Sequence, residues 1–222
     1  FINKKVWPPL AAWLADSGIE IGYERVRYLQ QHADYFSDLL AEYQFLLNCS
    51  REYEVDGDLS HWSLCRNWVE IEQNISKTNT ISVLLTIEGA HVFNTGLNDY
   101  GVQYSEEKIL ANIQSVKNWE YKPLFIGLAH NFYNDLCGHA RSLQRLGKLV
   151  NQERNIDTGI SKLGQRVIHS LLDNKEGKRI LIDLKNMSLK SRQEYFQILK
   201  TDYASQRIPL IVSHGSVTGH NL

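Results

Sequence analysis

Cysteine, methionine and proline are scarce in this chain of 222 residues, and neither sign of charge prevails. The three cysteines, Cys49, Cys65 and Cys137, are odd in number and widely spaced. That excludes a disulfide framework and a thiolate zinc site, and it points toward a reducing compartment such as the cytoplasm. Twenty-four basic against 25 acidic side chains leave a formal charge of −1, which removes any electrostatic case for nucleic acid or an anionic membrane as partner. The longest apolar runs are short stretches such as Ile81–Ile87, well under the roughly 20 residues of a membrane-spanning helix. No signal peptide is recognisable. Met187 is the only methionine, so no initiator is present and the polypeptide is expected to belong to a longer reading frame. What is there, 43% hydrophobic residues, is enough for one substantial core. Without repeats, low-complexity tracts or linkers, a single domain over 1–222 is expected, with a helical N-terminal segment over about 1–78.

Two kinds of texture follow one another. From Val26 the series Val26, Leu29, Ala33, Phe36, Leu40, Tyr43, Leu47 advances by alternating threes and fours, predicting one helical stripe. A second helix is predicted around Trp62, Cys65, Trp68 and Val69, with Ser60 as N-cap. Four short, continuously apolar runs come next: Ile81–Ile87, Pro123–Leu128, Arg179–Leu184 and Ile208–Val212. Runs of this kind suit parallel strands covered on both faces. The intervening segments carry helical faces, one with Ile160, Leu163, Val167, Ile168, Leu171 and Leu172, another with Tyr195, Phe196 and Leu199 after Ser188. Strand alternating with helix predicts a parallel α/β fold.

Each predicted strand ends in polar residues of useful chemistry. The ends read Thr86-Ile87-Glu88-Gly89-Ala90-His91, Leu128-Ala129-His130-Asn131, Asp183-Leu184-Lys185-Asn186-Met187-Ser188 and Ser213-His214-Gly215-Ser216. In a parallel barrel such ends share one rim. Carboxylate and imidazole together suit zinc or a similar divalent ion, whose purpose would be to activate water and polarise a carbonyl. His91 is expected to orient Glu88 from behind or else to be a polar residue starting a loop, and Asp183 to bond a neighbouring loop or a metal. His139, His169 and His220 fall outside the strand-end pattern and are expected on solvated or helical surfaces. Lys185 is read as an ordinary lysine. The tryptophans and tyrosines before residue 80 are read as core and helix-packing residues.

These strand ends, in this order, resemble the renal (membrane) dipeptidase family of the amidohydrolase superfamily. The likeness runs from about Ile81 to Gly215, and Gly159-Ile160-Ser161-Lys162-Leu163-Gly164 is similar to that family's GLTxFG segment. The resemblance implies a TIM-type (β/α) barrel, only part of it in this chain, holding two zinc ions and hydrolysing dipeptides, often with a D-residue at the C-terminal position. It implies that Glu88 bridges the metals, that His214 is a ligand of the second metal, and that His130 contacts the substrate and steadies the tetrahedral intermediate.

The sequence departs from that pattern at Asn186, where the family has a second histidine ligand. An amide oxygen is a poor zinc ligand beside imidazole, so one ion instead of two becomes an option. The family's His-x-Asp pair and its late aspartate are missing, and are expected upstream of Phe1 and downstream of Leu222. His32-Ala33-Asp34 matches the spacing but falls in the helical stripe, where residues two apart diverge. The function expected is zinc-dependent dipeptide hydrolysis. The alternatives are a non-catalytic barrel homologue, as Asn186 suggests, or another hydrolase of the superfamily. A small dipeptide-like substrate is the expected partner, with a homodimer open.

Overall fold

The computed structural model describes residues 8–20, 22–98, 101–142 and 151–215, leaving the side chains of residues 14, 15, 18, 19 and 55 aside. It is a mixed α/β structure. Helices α1 (Pro8–Ile19), α2 (Tyr23–Gln31) and α3 (Tyr35–Cys49) come first, then strands β1 (Glu52–Val55) and β2 (Asp58–Leu64). Helix α4 (Trp68–Ile75) and strand β3 (Thr80–Val83) follow, then α5 (Glu106–Lys117), β4 (Phe125–Gly127), α6 (Lys162–Leu172), β5 (Leu181–Asp183) and α7 (Leu189–Asp202). No described helix is long and apolar enough to cross a membrane.

The centre of the fold is a set of parallel pairings in chain order. β4 and β5 pair in parallel, with Ile126 opposite Ile182. Single bridges extend the pair on both sides, Ile87 to Ile126 and Asp183 to Ile211, each parallel. The hydrogen bonds agree: Ile87 N–H donates to Phe125 O (3.1 Å), Gly127 N–H to Ile87 O (2.9 Å) and Leu184 N–H to Ile211 O (2.9 Å). The result is a wall of four parallel segments, and no described strand closes it into a barrel.

Helices α5, α6 and α7 form the crossovers, as parallel neighbours require. Each begins at a serine whose hydroxyl accepts an orphan backbone N–H. Ser105 takes the N–H of Lys108, Ser161 that of Gly164, and Ser188 that of Ser191. Their apolar faces supply Ile109, Ile113 and Val116 from α5, and Val167, Ile168, Leu171 and Leu172 from α6, to one core with Ile126, Leu128, Ile180 and Ile182. Burying a side chain such as Leu171 completely is worth about 1.5–3 kcal/mol.

The N-terminal part differs from the sequence expectation in three ways. The stripe from Val26 to Leu47 is two helices, broken at residues 32–34, because Asp34 caps α3 by accepting from Ser37 N–H (3.1 Å) and Ser37 Oγ (2.7 Å). Trp62 and Cys65 do not share a helix with Trp68, and Ser60 is no cap. Residues 58–64 are strand β2, folded back on β1 through Asp56 and Gly57 at φ 53° and 86°. The helix begins only at α4, capped by Asn67. A helical segment over 1–78 is therefore interrupted by a hairpin. Finally, the run Ile81–Ile87 divides, β3 pairing in parallel with β2 while Leu85 and Ile87 join the wall.

Candidate active site at the carboxyl ends of the strands

Glu88, His130 and His214 follow three of the four wall segments, at their carboxyl ends, and the structure brings them together. His130 Nε2 lies 3.5 Å, and His214 Nε2 3.7 Å, from the same oxygen, Oε1 of Glu88. The mouth is open: the Glu88 side chain is 66% exposed, that of His214 56% and that of His130 32%.

The hydrogen-bond partners of the two rings fix what each nitrogen offers. Below His214, the Asp183 carboxylate accepts Ser213 N–H and Lys185 N–H on Oδ1 (both 3.1 Å) and Ser213 Oγ–H on Oδ2 (2.5 Å). Ser213 has a single hydroxyl proton and it goes to Asp183. Oγ therefore accepts from His214 Nδ1, 2.8 Å away. Neutral His214 then carries its proton on Nδ1 and turns the Nε2 lone pair toward Glu88.

His130 is arranged to the same end by other residues. Gln152 Nε2 donates to Ser142 Oγ (3.0 Å), leaving that hydroxyl to donate to Asn131 Oδ1 (2.7 Å). The Asn131 amide is thereby oriented so that Nδ2 donates to His130 Nε2 (3.3 Å). Burial pushes the His130 pKa down; the Glu88 carboxylate opposes this, His214 adds to it, and the ring stays below its ordinary value. In its neutral form His214 thus turns a lone pair toward the Glu88 oxygen, while the Nε2 lone pair of His130 takes the Asn131 N–H. Such a set of acceptors calls for a cation or a substrate proton between them.

His91 stands next to this group. Its ring stacks on His130 with centroids 6.1 Å apart and meets Tyr35 edge-on at 5.3 Å. Desolvation, with repulsion from His130, drives its pKa down to about 4, so it is neutral. Gly89 makes room for it. A Cβ there would overlap His91 Nδ1 and stand 3.1 Å from His130 Cβ.

Asn186 is close in sequence to this mouth but has a different situation. It sits in the turn after β5 at φ 63°, a left-handed conformation that asparagine tolerates better than most residues. Its carbonyl accepts from Ala140 N–H (2.8 Å), and its side chain shares no hydrogen bond with Glu88 or His214. His32 and Asp34 are occupied elsewhere, His32 stacked on Tyr28 and Asp34 holding α3 and Asn94.

Of the remaining histidines, His169 lies on α6 and bonds Tyr203 Oη (2.9 Å), and His220 lies outside the described residues. The expectation for His139 is corrected: it is fully buried, with its ring nitrogens at the carbonyls of Ala140 (3.2 Å) and Arg154 (3.0 Å). A polar ring is stable in a core when its N–H finds an acceptor, as either carbonyl provides. Sequence reasoning gave Ser213, Asn131, Ser142 and Gln152 no role. Only the first two adjoin a strand-end histidine, and nothing in composition marks a serine as an orienting group.

In donor type this mouth suits a metal ion, since carboxylate and neutral imidazole are ligands zinc uses. In donor number it falls short: no described group of three His, Cys, Asp or Glu side chains could hold a metal ion by itself. Fold and site together define an α/β protein with a carboxylate–imidazole mouth at the carboxyl ends of parallel segments. The sequence matches no protein-family model and no curated protein.

Proposed function

We propose that this chain is part of a metal-dependent hydrolase of the dipeptidase type, the wall from Leu85 to Ile211 being half of a TIM-type (β/α) barrel. The observation that carries this reading is the meeting of His130 Nε2 and His214 Nε2 at one oxygen of Glu88, past the ends of adjacent parallel segments.

Glu88 and His214 would hold one divalent ion, with further ligands from the substrate, solvent or other strands. The ion, when bound, supplies Lewis acidity toward a carbonyl and makes a water more acidic. His214 contributes its lone pair because Ser213 occupies its other nitrogen. The lone pair on His130 Nε2 is engaged by Asn131, and it would accept from a substrate N–H or ammonium group in place of that bond. Donation to an oxyanion, the role the family resemblance implies, needs a proton on that nitrogen.

Zinc titration of the purified chain by calorimetry, followed by a panel of L,L- and L,D-dipeptides, tests this. One zinc per chain and turnover of at least one dipeptide are expected. Zinc binding with no turnover across the panel removes the peptidase assignment.

Asn186 favours a second reading, a homologue that keeps the mouth for binding. It sits in a left-handed turn, and its side chain makes no hydrogen bond to Glu88. No zinc bound by the wild type supports that reading. A second zinc equivalent in Asn186→His supports the hydrolase ancestry.

A further inference from the structure

We infer that Ser213, held by Asp183, is a positioning residue that sets the tautomer of His214. For its purpose this rests on the reading of His214 as a metal-facing ligand, but the tautomer itself does not.

A neutral histidine side chain in water prefers its proton on Nε2. A ring left to itself on an exposed strand end would present N–H, not a lone pair, to whatever enters the mouth. The His214 side chain is 56% exposed, so packing alone does not hold its protonation pattern. The hydrogen bonds beneath it do. Asp183 is buried, and its two oxygens take three donors, two backbone N–H groups and the Ser213 hydroxyl. The backbone N–H and the hydroxyl of Ser213 engage opposite oxygens of that carboxylate, at 3.1 and 2.5 Å, which pins Oγ in place. With its only proton committed, Oγ can meet Nδ1 at 2.8 Å only as an acceptor. The proton of neutral His214 therefore sits on Nδ1, and Nε2 is left bare toward Glu88. A group that orients an imidazole from behind typically changes metal affinity by 10–100-fold when removed.

The same carboxylate joins two strands. Asp183 ends β5, whereas Ser213 and His214 follow the bridge at Ile211. The protonation pattern of the ring is thus tied to the register of the wall, and a shift of the last segment would free it.

The test is imidazole nitrogen NMR on the uniformly 15N-labelled full chain without metal, at a pH where His214 is neutral. Of the eight histidine patterns, the one removed in His214→Gln identifies the residue. In the wild type, Nδ1 is expected to show the protonated and Nε2 the unprotonated shift. Ser213→Ala should reverse the two, and Ser213→Thr, which keeps the hydroxyl, should restore them, with the other seven patterns as the control for folding. A wild-type His214 protonated on Nε2 overturns the inference, as does an unchanged pattern in a folded Ser213→Ala. The wild-type spectrum decides the matter even if that variant fails to fold.

A zinc titration of the same samples separates the two ideas. If zinc binds the wild type, affinity should fall about 10–100-fold in Ser213→Ala and recover in Ser213→Thr. If zinc does not bind at all but the tautomer switches as stated, the metal reading fails and the role of Ser213 stands.

Discussion

The parallel wall and the segment that precedes it make an instructive pair, because both are rich in large apolar side chains and only one buries them. From Ile87 to Tyr195 the wall and its helices contribute all but one of the residues in the principal buried cluster, the exception being Leu39. Before residue 84 many of the large apolar residues are exposed, Trp13 at 58%, Phe45 at 66%, Trp68 at 62% and Ile75 at 70%, while Val26, Leu39, Leu64 and Cys65 are buried. Of the early aromatics, Phe36 packs against the core and Tyr43 stacks on Trp119, whereas Trp13, Tyr28 and Trp68 lie exposed. Hairpin, caps and local turns hold the first region, whereas crossovers between distant strands hold the second. Short-range hydrogen bonding builds elements, and long-range burial makes them stable.

That contrast can be broken by substitution, and the effects should fall in a definite order. Leu171→Ala, at a fully buried position on α6, should lower unfolding stability by about 2–5 kcal/mol in urea. Gly164→Ala comes next. Its Cβ would stand within 2.9 Å of Ile160 Cγ2, and closer still to the carbonyl of Leu136, so a loss of about 1–3 kcal/mol is expected in the same assay. Asp34→Ala removes the cap of α3 and should cost about 1 kcal/mol. Ile75→Ala, in the outward-facing region, should change stability by no more than about 0.5 kcal/mol. A large loss at Ile75 with a small one at Leu171 would reverse the comparison.

The mouth adds a dependence on pH. His91 has its pKa lowered to about 4 in the folded chain, against 6.5 as the reference value. Between these values the unfolded chain takes up a proton that the folded one refuses. The contribution of His91 to stability is therefore full above about pH 6.5 and falls away as the pH drops toward 4. His91→Phe should flatten that part of the stability–pH curve, measured by denaturant unfolding at several pH values.

Sequence reading located some of this directly. The runs at 123–128 and 179–184 contain β4 and β5, and the periodic faces at 163–172 and after 188 lie on α6 and α7, Ile160 falling just before the cap of α6. Glu88, His130 and His214 were visible because strand ends in a parallel arrangement share a side, so residues far apart in sequence could be placed together. Closure of a barrel is a different matter, since no described strand closes the wall. The break at 32–34 was hidden because the apolar stripe keeps its phase across it, and a cap leaves no mark on periodicity. The hairpin did leave one: Asp56-Gly57 is the dipeptide favoured in tight two-residue turns, and it outweighs the tryptophan spacing that suggested a helix. His139 reads as a surface residue until the carbonyls of Ala140 and Arg154 are seen on either side of its ring. The protonation pattern of His214 was the least accessible feature, since it depends on whether a single serine proton goes to the Asp183 carboxylate or to the ring nitrogen.

Lys117 of α5 is 1% exposed, and its amine donates to the carbonyls of Ser170 (2.7 Å) and Asp173 (3.0 Å) at the end of α6. An amine so enclosed is shielded from acylating reagents while the two helices remain docked. Mass-spectrometric labelling would then find it unmodified in the native chain and modified only as the wall opens, which turns one lysine into a built-in gauge of how often that happens.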